Sequence, residues 1–155
     1  SPWRFHAPLS PDIAAKKEGK TLDLEEISQF CKTALSQDIQ LVEGAGGYYS
    51  PLSETATNAD LIVSLGYPVI VVSNSYLGCI SPLLATIECI NVASLTIAAI
   101  VLNEAPHPEW LPSEVVSASL LPHLLPETPL IKIKKLEATD ELWKACPDLT
   151  AELSL

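Results

Sequence analysis

Two uninterrupted apolar runs in the middle of the chain most constrain its fold. Residues 68–72 (PVIVV) are β-branched after the proline, and residues 97–102 (IAAIVL) contain no polar side chain. Such strands are typical of sheets covered on both faces, and Ser81-Pro82 between them is a helix-start signal. A strand, a helix and a second buried strand in succession indicate parallel pairing with a crossover. The sequence therefore predicts an α/β protein with a three-layer, mainly parallel sheet flanked by helices.

Shorter signals predict the remaining elements. Asp23, with Glu26 three residues later, forms a capping pattern, and apolar residues then recur at helical spacing. The apolar run 39–42 stops at a glycine-rich turn and indicates another strand. Together the patterns predict helices over 23–36, 57–65, 81–93 and 113–125, and further strands over 39–42 and 130–133. With 155 residues, 48% of them apolar, a single domain over residues 1–155 is expected.

The charge of the chain excludes two classes of partner. The formal net charge is −10, and no lysine or arginine occurs between Lys32 and Lys132. Nucleic acid or an anionic membrane surface would need clustered basic residues, so neither is expected as a partner. No apolar run is long enough to span a bilayer and no signal peptide is evident. The four cysteines show neither C-x-x-C spacing nor a compact framework, so a reduced, cytoplasmic chain without structural zinc is expected. A polyanion bound by the middle region would have to be neutralised by metal, by backbone amides or by residues from elsewhere.

The stretch Glu43-Gly-Ala-Gly-Gly47 carries the strongest sign of ligand binding. A carboxylate directly after a buried strand is costly unless it is compensated, and a divalent cation is a common solution. Glycines allow a ligand to approach the backbone closely and present N–H groups to anions. A simple turn rarely needs three glycines within four residues. We therefore predict a functional turn rather than a hydrated glutamate beside a loop.

Two further places allow a functional and a structural interpretation. Free amides of residues 79–81, behind Gly78 at a helix start, would form an anion site that needs no basic side chain. An ordinary helix capped by Ser81 explains the same residues equally well. Asn103, at the end of the second buried strand, offers a donor and an acceptor for the edge of a purine, although asparagine also favours turns. Cys79 is expected to be a small buried residue, not a nucleophile.

Three segments together resemble the dethiobiotin synthetase family of biotin biosynthesis. They are LVEGAGGYYSPLSETATNADLI at 41–62, PVIVVSNSYLGCISPLLATIECI at 68–90 and AAIVLNE at 98–104. The resemblance implies a P-loop NTPase, Rossmann-like fold and a ring closure that depends on ATP and Mg²⁺. In that reaction 7,8-diaminononanoate and CO2 give a carbamate, ATP phosphorylates the carbamate, and the second amine closes the ureido ring.

The roles that the resemblance implies fall on the motifs described above. Glu43 would bind Mg²⁺, and the nucleotide would be bound by Glu43, Gly44, Ala45, Gly46, Asn103 and Glu104. The substrate would be bound by Gly46, Gly47, Leu77, Gly78, Cys79, Ile80 and Ser81. The resemblance also implies a homodimer in which the last four of these residues, Gly78 to Ser81, serve the active site of the partner subunit.

The resemblance further implies what this chain lacks. The family's phosphate-binding loop and catalytic lysines precede the matched segments, so no catalytic residue is expected within the chain, and the chain alone is expected to be inactive. A start inside a longer polypeptide is also expected from the absence of methionine. Ser81-Pro82 stands where Asn-His is common, and Lys134-Lys135 stand where a proline helps to frame adenine. Two alternatives stay open: an amidoligase of cobalamin synthesis, which also uses a V-E-G-A-G turn, and a non-catalytic nucleotide-fold module kept for interaction.

Overall fold

The computed structural model describes residues 2–33, 39–104, 109–136, 144 and 146–153. They form two compact units, Ser1–Tyr67 and Pro68–Leu155, and each unit is described by itself. The single domain expected over residues 1–155 stays a prediction. Within the described residues, every helix is too short or too polar to cross a membrane.

The described part of the first unit contains three helices, α1 (Pro11–Lys17), α2 (Leu24–Thr33) and α3 (Asn58–Leu65). The predicted start of α2 is confirmed, because the Asp23 carboxylate accepts a hydrogen bond from the N–H of Glu26 at 3.0 Å. The predicted extension of α2 to residue 36 lies outside the described residues. The end of α3 is also confirmed: Gly66 has a φ of +65° and donates its N–H to the Ile62 carbonyl.

The apolar faces of α2 and α3 pack against each other. The Ser28 and Ser64 hydroxyls, 2.8 Å apart, share a hydrogen bond at this contact. Burying apolar side chains here stabilises the pair and fixes the segment that leads from the glycine-rich turn into α3. The core of the unit consists of Ile27, Cys31, Leu52 and Leu61, with Trp3, Leu22, Leu24 and Leu65 packed around them.

The predicted strand over residues 39–42 is wrong. These residues pair with no strand in the described part of the chain, and Leu41 is 80% exposed. A strand is stabilised by backbone hydrogen bonds to a neighbouring strand, and the apolar pattern alone cannot supply that neighbour. The run is held instead by the side chain of Gln40, which donates to the Cys31 carbonyl at 3.0 Å.

The second unit contains a three-stranded parallel sheet with flanking helices, which confirms the predicted fold class. Its described elements are β1 (Val69–Asn74), α4 (Ile80–Val92), β2 (Ile97–Asn103), α5 (Ser113–Leu120), a 3₁₀ turn (Leu121–His123), β3 (Leu130–Ile133) and α6 (Leu149–Glu152). The strands lie in the order β1-β2-β3. Helices α4 and α5 contact β2 and each other, whereas α6 packs against the sheet through Leu149.

The two predicted buried strands differ in the structure. β2 is covered on both faces, since residues 99–102 are at most 2% exposed. β1 has one neighbour in the described sheet, and Val72 is 64% exposed, so its predicted burial on both faces is wrong. The reason is position: a β-branched run fits either the centre or the end of a sheet, and only the centre is covered twice.

Two predicted helix ends also shift. α4 begins at Ile80, so Ser81 is the second helical residue and not the N-cap that the sequence suggested. α5 ends at Leu120, short of the predicted residue 125, and a 3₁₀ turn containing Pro122 follows it. The missing N–H of a proline removes one helical hydrogen bond and favours such an ending.

Candidate functional site

The glycine turn, defined as residues 43–47, is exposed along its whole length. Gly46 has a φ of +84°, a conformation that residues with a side chain rarely adopt, and a Cβ there would collide with the Ser50 hydroxyl. A Cβ at Gly44 would come within 2.8–3.0 Å of the Asn58 amide. Two of the three glycines are therefore required by the local geometry of the turn.

Two side chains hold the glycine turn. The Ser50 hydroxyl accepts a hydrogen bond from the N–H of Gly47 at 2.8 Å. The side-chain amide of Asn58 donates to the carbonyls of Ala45 and Gly47 at 3.0 and 2.9 Å. The sequence analysis did not single out Asn58. Its one signal was that it is a polar residue in the first turn of α3, although Thr57 and Asp60 already cap this helix. The position of Asn58 lets α3 fix the shape of the turn.

The groups left open on the glycine turn are an acid and three amides. Within the described residues, the Glu43 carboxylate has no hydrogen bond or ion pair. The N–H groups of Gly44, Ala45 and Gly46 likewise have no acceptor there. A carboxylate suits a hard cation and free amides suit an anion, so the arrangement can hold a metal-bound phosphate or a similar ligand.

A magnesium site at Glu43 fits this donor set. No cluster of three histidine, cysteine or acidic residues able to hold a metal occurs in the described ranges. Mg²⁺ needs only one or two protein carboxylates when phosphates and water complete its octahedron. A free, exposed Glu43 meets that requirement, and the remaining ligands would come from a nucleotide and solvent.

In the second unit, the ends of the three strands are in line. Asn103 at the end of β2 pairs in register with Asn74 of β1 and with Ile133 of β3. The Asn103 carbonyl accepts from the N–H of Ser75 at 2.9 Å, which fixes its backbone. No group within the described residues hydrogen-bonds to the side-chain amide of Asn103. That amide is therefore free to contact a ligand at the carboxyl edge of the sheet, where ligands of open α/β sheets bind.

Glu104, expected to bind nucleotide, is occupied by hydrogen bonds within the protein. It is 8% exposed, and one carboxylate oxygen accepts from both the N–H and the hydroxyl of Ser113, each at 2.7 Å. The other oxygen accepts from the N–H of Lys135 at 3.1 Å. The hydrogen bond from the Ser113 N–H is the largest cause that lowers the pKa of Glu104, and burial opposes it. This carboxylate joins α5 and the segment after β3 to the end of β2.

The loop after β1 is bonded to the segment that precedes α5. Ser75 donates from its hydroxyl to the Leu111 carbonyl at 2.8 Å, and Leu111 returns a hydrogen bond from its N–H to the Ser75 carbonyl at 3.1 Å. The N–H of Leu77 donates to the Glu109 carbonyl at 2.8 Å. Ser75 is 1% exposed, so these hydrogen bonds are shielded from water. They hold the start of the loop that leads to α4.

The free amides at the start of α4 differ from the set expected at residues 79–81. The N–H of Cys79 already donates to the Tyr76 carbonyl at 3.2 Å, and its side chain is 1% exposed, as expected for a small buried residue. The N–H groups of Gly78, Ile80 and Ser81 have no acceptor within the described residues. Gly78 has a φ of +99°, and no atom beyond its chain neighbours lies within 4 Å of the position that a Cβ would occupy, so a ligand can approach its backbone closely.

The predicted residues thus fall into two groups that belong to different units. Glu43 and the glycines of the turn lie in the first unit, whereas residues 77–81, Asn103 and Glu104 lie in the second. Within the second unit, the loop before α4 and the end of β2 are linked through Ser75, whose N–H donates to the Asn103 carbonyl.

Comparison with known proteins connects these features to a family. A sequence model described as an AAA domain matches residues 1–141. The ATP-dependent dethiobiotin synthetase BioD of Caulobacter vibrioides is 47% identical over 108 residues, which are 68% of this chain and 49% of the relative. The synthetase of Phenylobacterium zucineum is 47% identical over 112 residues, 70% of this chain and 48% of the relative. The synthetase of Acidiphilium cryptum is 40% identical over 125 residues, 79% of this chain and 56% of the relative.

The chain spans about half the length of the curated relatives that it matches. The match agrees with the parallel sheet and flanking helices of the second unit and with the P-loop type of fold expected from the sequence. The resemblance first recognised in three short segments therefore extends over most of the chain. On this ground the chain belongs to the AAA-domain family of the matching model, and it is a homologue of the dethiobiotin synthetases.

Proposed function

We propose that the complete protein closes the ureido ring of dethiobiotin from 7,8-diaminononanoate, CO2 and ATP. One amine adds to CO2 to give a carbamate, and ATP phosphorylates the carbamate and leaves as ADP. The second amine then attacks the carbonyl carbon and expels phosphate, which closes the ring. The observation that carries this proposal is the 40–47% identity to ATP-dependent dethiobiotin synthetases.

The glycine turn would bind the charged reactants. Bound Mg²⁺ would neutralise phosphate charge, and Glu43 is the carboxylate that would hold it. The free amides of Gly44, Ala45 and Gly46 would face the nucleotide, and Gly46 and Gly47 would also border the carbamate. Support comes from the exposure of the turn and from the absence of any acceptor for these amides in the described residues. Because residues 33–131 contain no lysine or arginine, backbone amides and a bound metal are the main neutralising groups that this segment can offer.

The second unit would bind adenine and the substrate carboxylate. The free amide of Asn103 would contact the purine edge, and the amides of Gly78, Ile80 and Ser81 would hold the carboxylate. Glu104 would support Asn103 through the backbone and not touch the nucleotide, because its two oxygens already accept three hydrogen bonds. Leu77 and Cys79 would shape this site without donating their N–H groups.

The first experiment is product formation by the complete protein. Purified protein with ATP, Mg²⁺, bicarbonate and 7,8-diaminononanoate should yield dethiobiotin, identified by mass spectrometry, with one ADP per product. ATP turnover without this product would overturn the proposal, and ATP-dependent amidation of a carboxylate would favour the amidoligase alternative. The 155-residue chain alone should form none, since it contains no G-x-x-x-x-G-K-[ST] motif.

We also propose a cytoplasmic homodimer in which the start of α4 serves the partner's active site. Mixing two inactive full-length variants, Glu43→Gln and Gly78→Val, tests the shared site. If subunits exchange and sites are shared, mixed dimers regain one intact site of two. Proven exchange without recovered activity would place the carboxylate site within one subunit.

A further inference from the structure

Asn58 is a buried polar residue that no sequence motif singled out, and it lies directly beneath the glycine turn. Asn58 is 3% exposed, and its side chain donates two hydrogen bonds, both to carbonyls of the turn. The backbone N–H of Asn58 donates to the Ser50 carbonyl at 3.0 Å, so the residue is fixed on the far side of the turn as well. α3 thus reaches the glycine turn through one side chain.

The orientation of the Asn58 amide follows from these contacts. Two carbonyl oxygens, of Ala45 and Gly47, lie at hydrogen-bonding distance from one side-chain atom, and only the amide nitrogen can donate to both. The amide oxygen then points elsewhere. It is buried and has no hydrogen-bond partner in the described residues, beside the position that a Cβ of Gly44 would occupy. An unpaired buried acceptor is unfavourable for stability, so Asn58 is not explained as a residue that merely stabilises the fold.

The hydrogen bonds of Asn58 determine which groups the turn exposes. When two carbonyls of a tight turn are drawn to one side, the intervening N–H groups are left to point elsewhere, as in backbone sites for anions. The N–H groups of Gly44, Ala45 and Gly46 are the ones left without an acceptor. The turn therefore owes its free amides to a donor outside the turn.

We propose that Asn58 is a positioning residue, which draws the carbonyls of Ala45 and Gly47 inward so that the amides of the glycine turn can bind the phosphate groups of ATP. This inference rests on the proposed function of the turn and adds a residue that acts on it without touching the ligand. Gly44 is required by the same arrangement, because the Asn58 amide fills the space of its Cβ.

The decisive variant in the complete protein is Asn58→Leu. Leucine has a similar size, has no donor for the two carbonyls and removes the unpaired oxygen. The released carbonyls belong to exposed residues and can be hydrated. Losing two hydrogen bonds that hold the turn should raise the Kd of ATP·Mg²⁺ by about tenfold, while the thermal midpoint stays the same or rises. Asn58→Asp should weaken ATP more, because an ionised carboxylate would face two carbonyl oxygens.

Asp60→Ala is the matched control at the same helix start. The Asp60 carboxylate accepts from the N–H and the hydroxyl of Thr57, both at 2.7 Å, and makes no contact with the turn. Its loss should lower the thermal midpoint without changing the Kd of ATP. Isothermal titration calorimetry and thermal unfolding measure both quantities for each variant.

The outcomes separate this inference from the proposed function. An unchanged Kd in Asn58→Leu, or an equal rise in Asp60→Ala, would overturn the positioning role. A wild-type protein that binds ATP but forms no dethiobiotin would overturn the proposed function alone, since the variants are compared on ATP binding. Wild-type protein without ATP binding would overturn both.

Discussion

Two glutamates follow apolar runs in this chain, and the structure gives them opposite surroundings. Glu43, after residues 39–42, is exposed and has no partner in the described part of the chain. Glu104, after β2, is buried and accepts three hydrogen bonds from Ser113 and Lys135. The same sequence pattern, a carboxylate after an apolar run, thus marks an exposed carboxylate without a described partner in one unit and a link between segments in the other. Burial of the carboxylate and the hydrogen-bond donors around it decide which of the two situations a glutamate has.

The largest expected effect is the loss of Glu43 in the complete protein. Glu43→Gln should lower kcat/KM at limiting Mg²⁺ by about 100-fold, because a neutral amide is a poor replacement for a carboxylate ligand of a hard cation. Steady-state rates across a Mg²⁺ titration measure it. Folding should be unaffected, since no described group depends on this carboxylate.

Glu54→Gln is the matched control for Glu43. Glu54 is also an exposed glutamate of the first unit, and its contact with Lys16 is a surface ion pair at 4.0 Å. Its replacement should leave the Mg²⁺ dependence unchanged. Wild-type activity of Glu43→Gln at limiting Mg²⁺ would remove the metal assignment.

The second effect is on stability and belongs to Glu104. A glutamine has one side-chain oxygen, so it can accept hydrogen bonds from Ser113 or from Lys135 but not from both. Its amide NH2 group would face the other donor. Glu104→Gln should therefore lower the free energy of unfolding by about 2 kcal/mol, the scale of a hydrogen bond to a charged group. Urea unfolding followed by circular dichroism measures this change. If Glu104→Gln lowered the free energy of unfolding no more than Glu43→Gln does, the two carboxylates would contribute equally to stability, and the contrast between their surroundings would have no effect on folding.

The third effect is the pH dependence of that loss. Hydrogen bonds from Ser113 and Lys135 lower the pKa of Glu104 from its ordinary value of 4.5, and the nearby charge of Lys134 lowers it further. A carboxylate with a lowered folded pKa stabilises the protein above its unfolded pKa, and the contribution disappears as the pH falls through the folded pKa. The stability difference between wild type and Glu104→Gln should be constant above about pH 5 and shrink below pH 4.5. A difference that grows on acidification would contradict this.

The smallest effect concerns a glutamate beside the Glu104 network. Glu114 is exposed, and its carboxylate lies 3.1 Å from the Lys134 ammonium. Exposed ion pairs contribute little because water screens them and long side chains lose entropy. Glu114→Gln should shift the thermal midpoint by less than about 2 °C. A shift as large as that of Glu104→Gln would show that burial is not what separates the glutamates.

The sequence predicted those features that depend on neighbouring residues. β2 was predicted because six consecutive apolar residues fit a doubly covered strand. The end of α3 was predicted at residue 65, and Gly66, which follows it, has the positive φ that suits glycine. The N–H of Glu26 bonded to Asp23 as the capping pattern predicted. In each case the decisive interaction lies within a few residues.

The errors and omissions arose where a distant residue decides. Residues 39–42 have the pattern of a strand, but pairing requires a second strand that the pattern does not specify. The hydrogen bonds of Glu104 were not predicted, because its partners Ser113 and Lys135 are 9 and 31 residues away. Asn58 was not noticed, because its hydrogen bonds reach back 11 and 13 residues to a turn in another segment.

The register of β2 with β1 makes the position of Asn103 depend on the number of residues in β2. Deleting one residue from 99–102 would bring Glu104 opposite Asn74 and exchange the two faces of the strand, because side chains alternate with a period of two. Ala98 is different, because it has no partner in β1: Val69 pairs with Ile97 and Ile70 with Ala99, which leaves Ala98 as the extra residue of a bulge-like irregularity. An insertion or deletion at this irregularity would leave Asn103 in its place. An apolar side chain of similar size can therefore replace another in β2, whereas the number of residues can change only near the irregularity at Ala98.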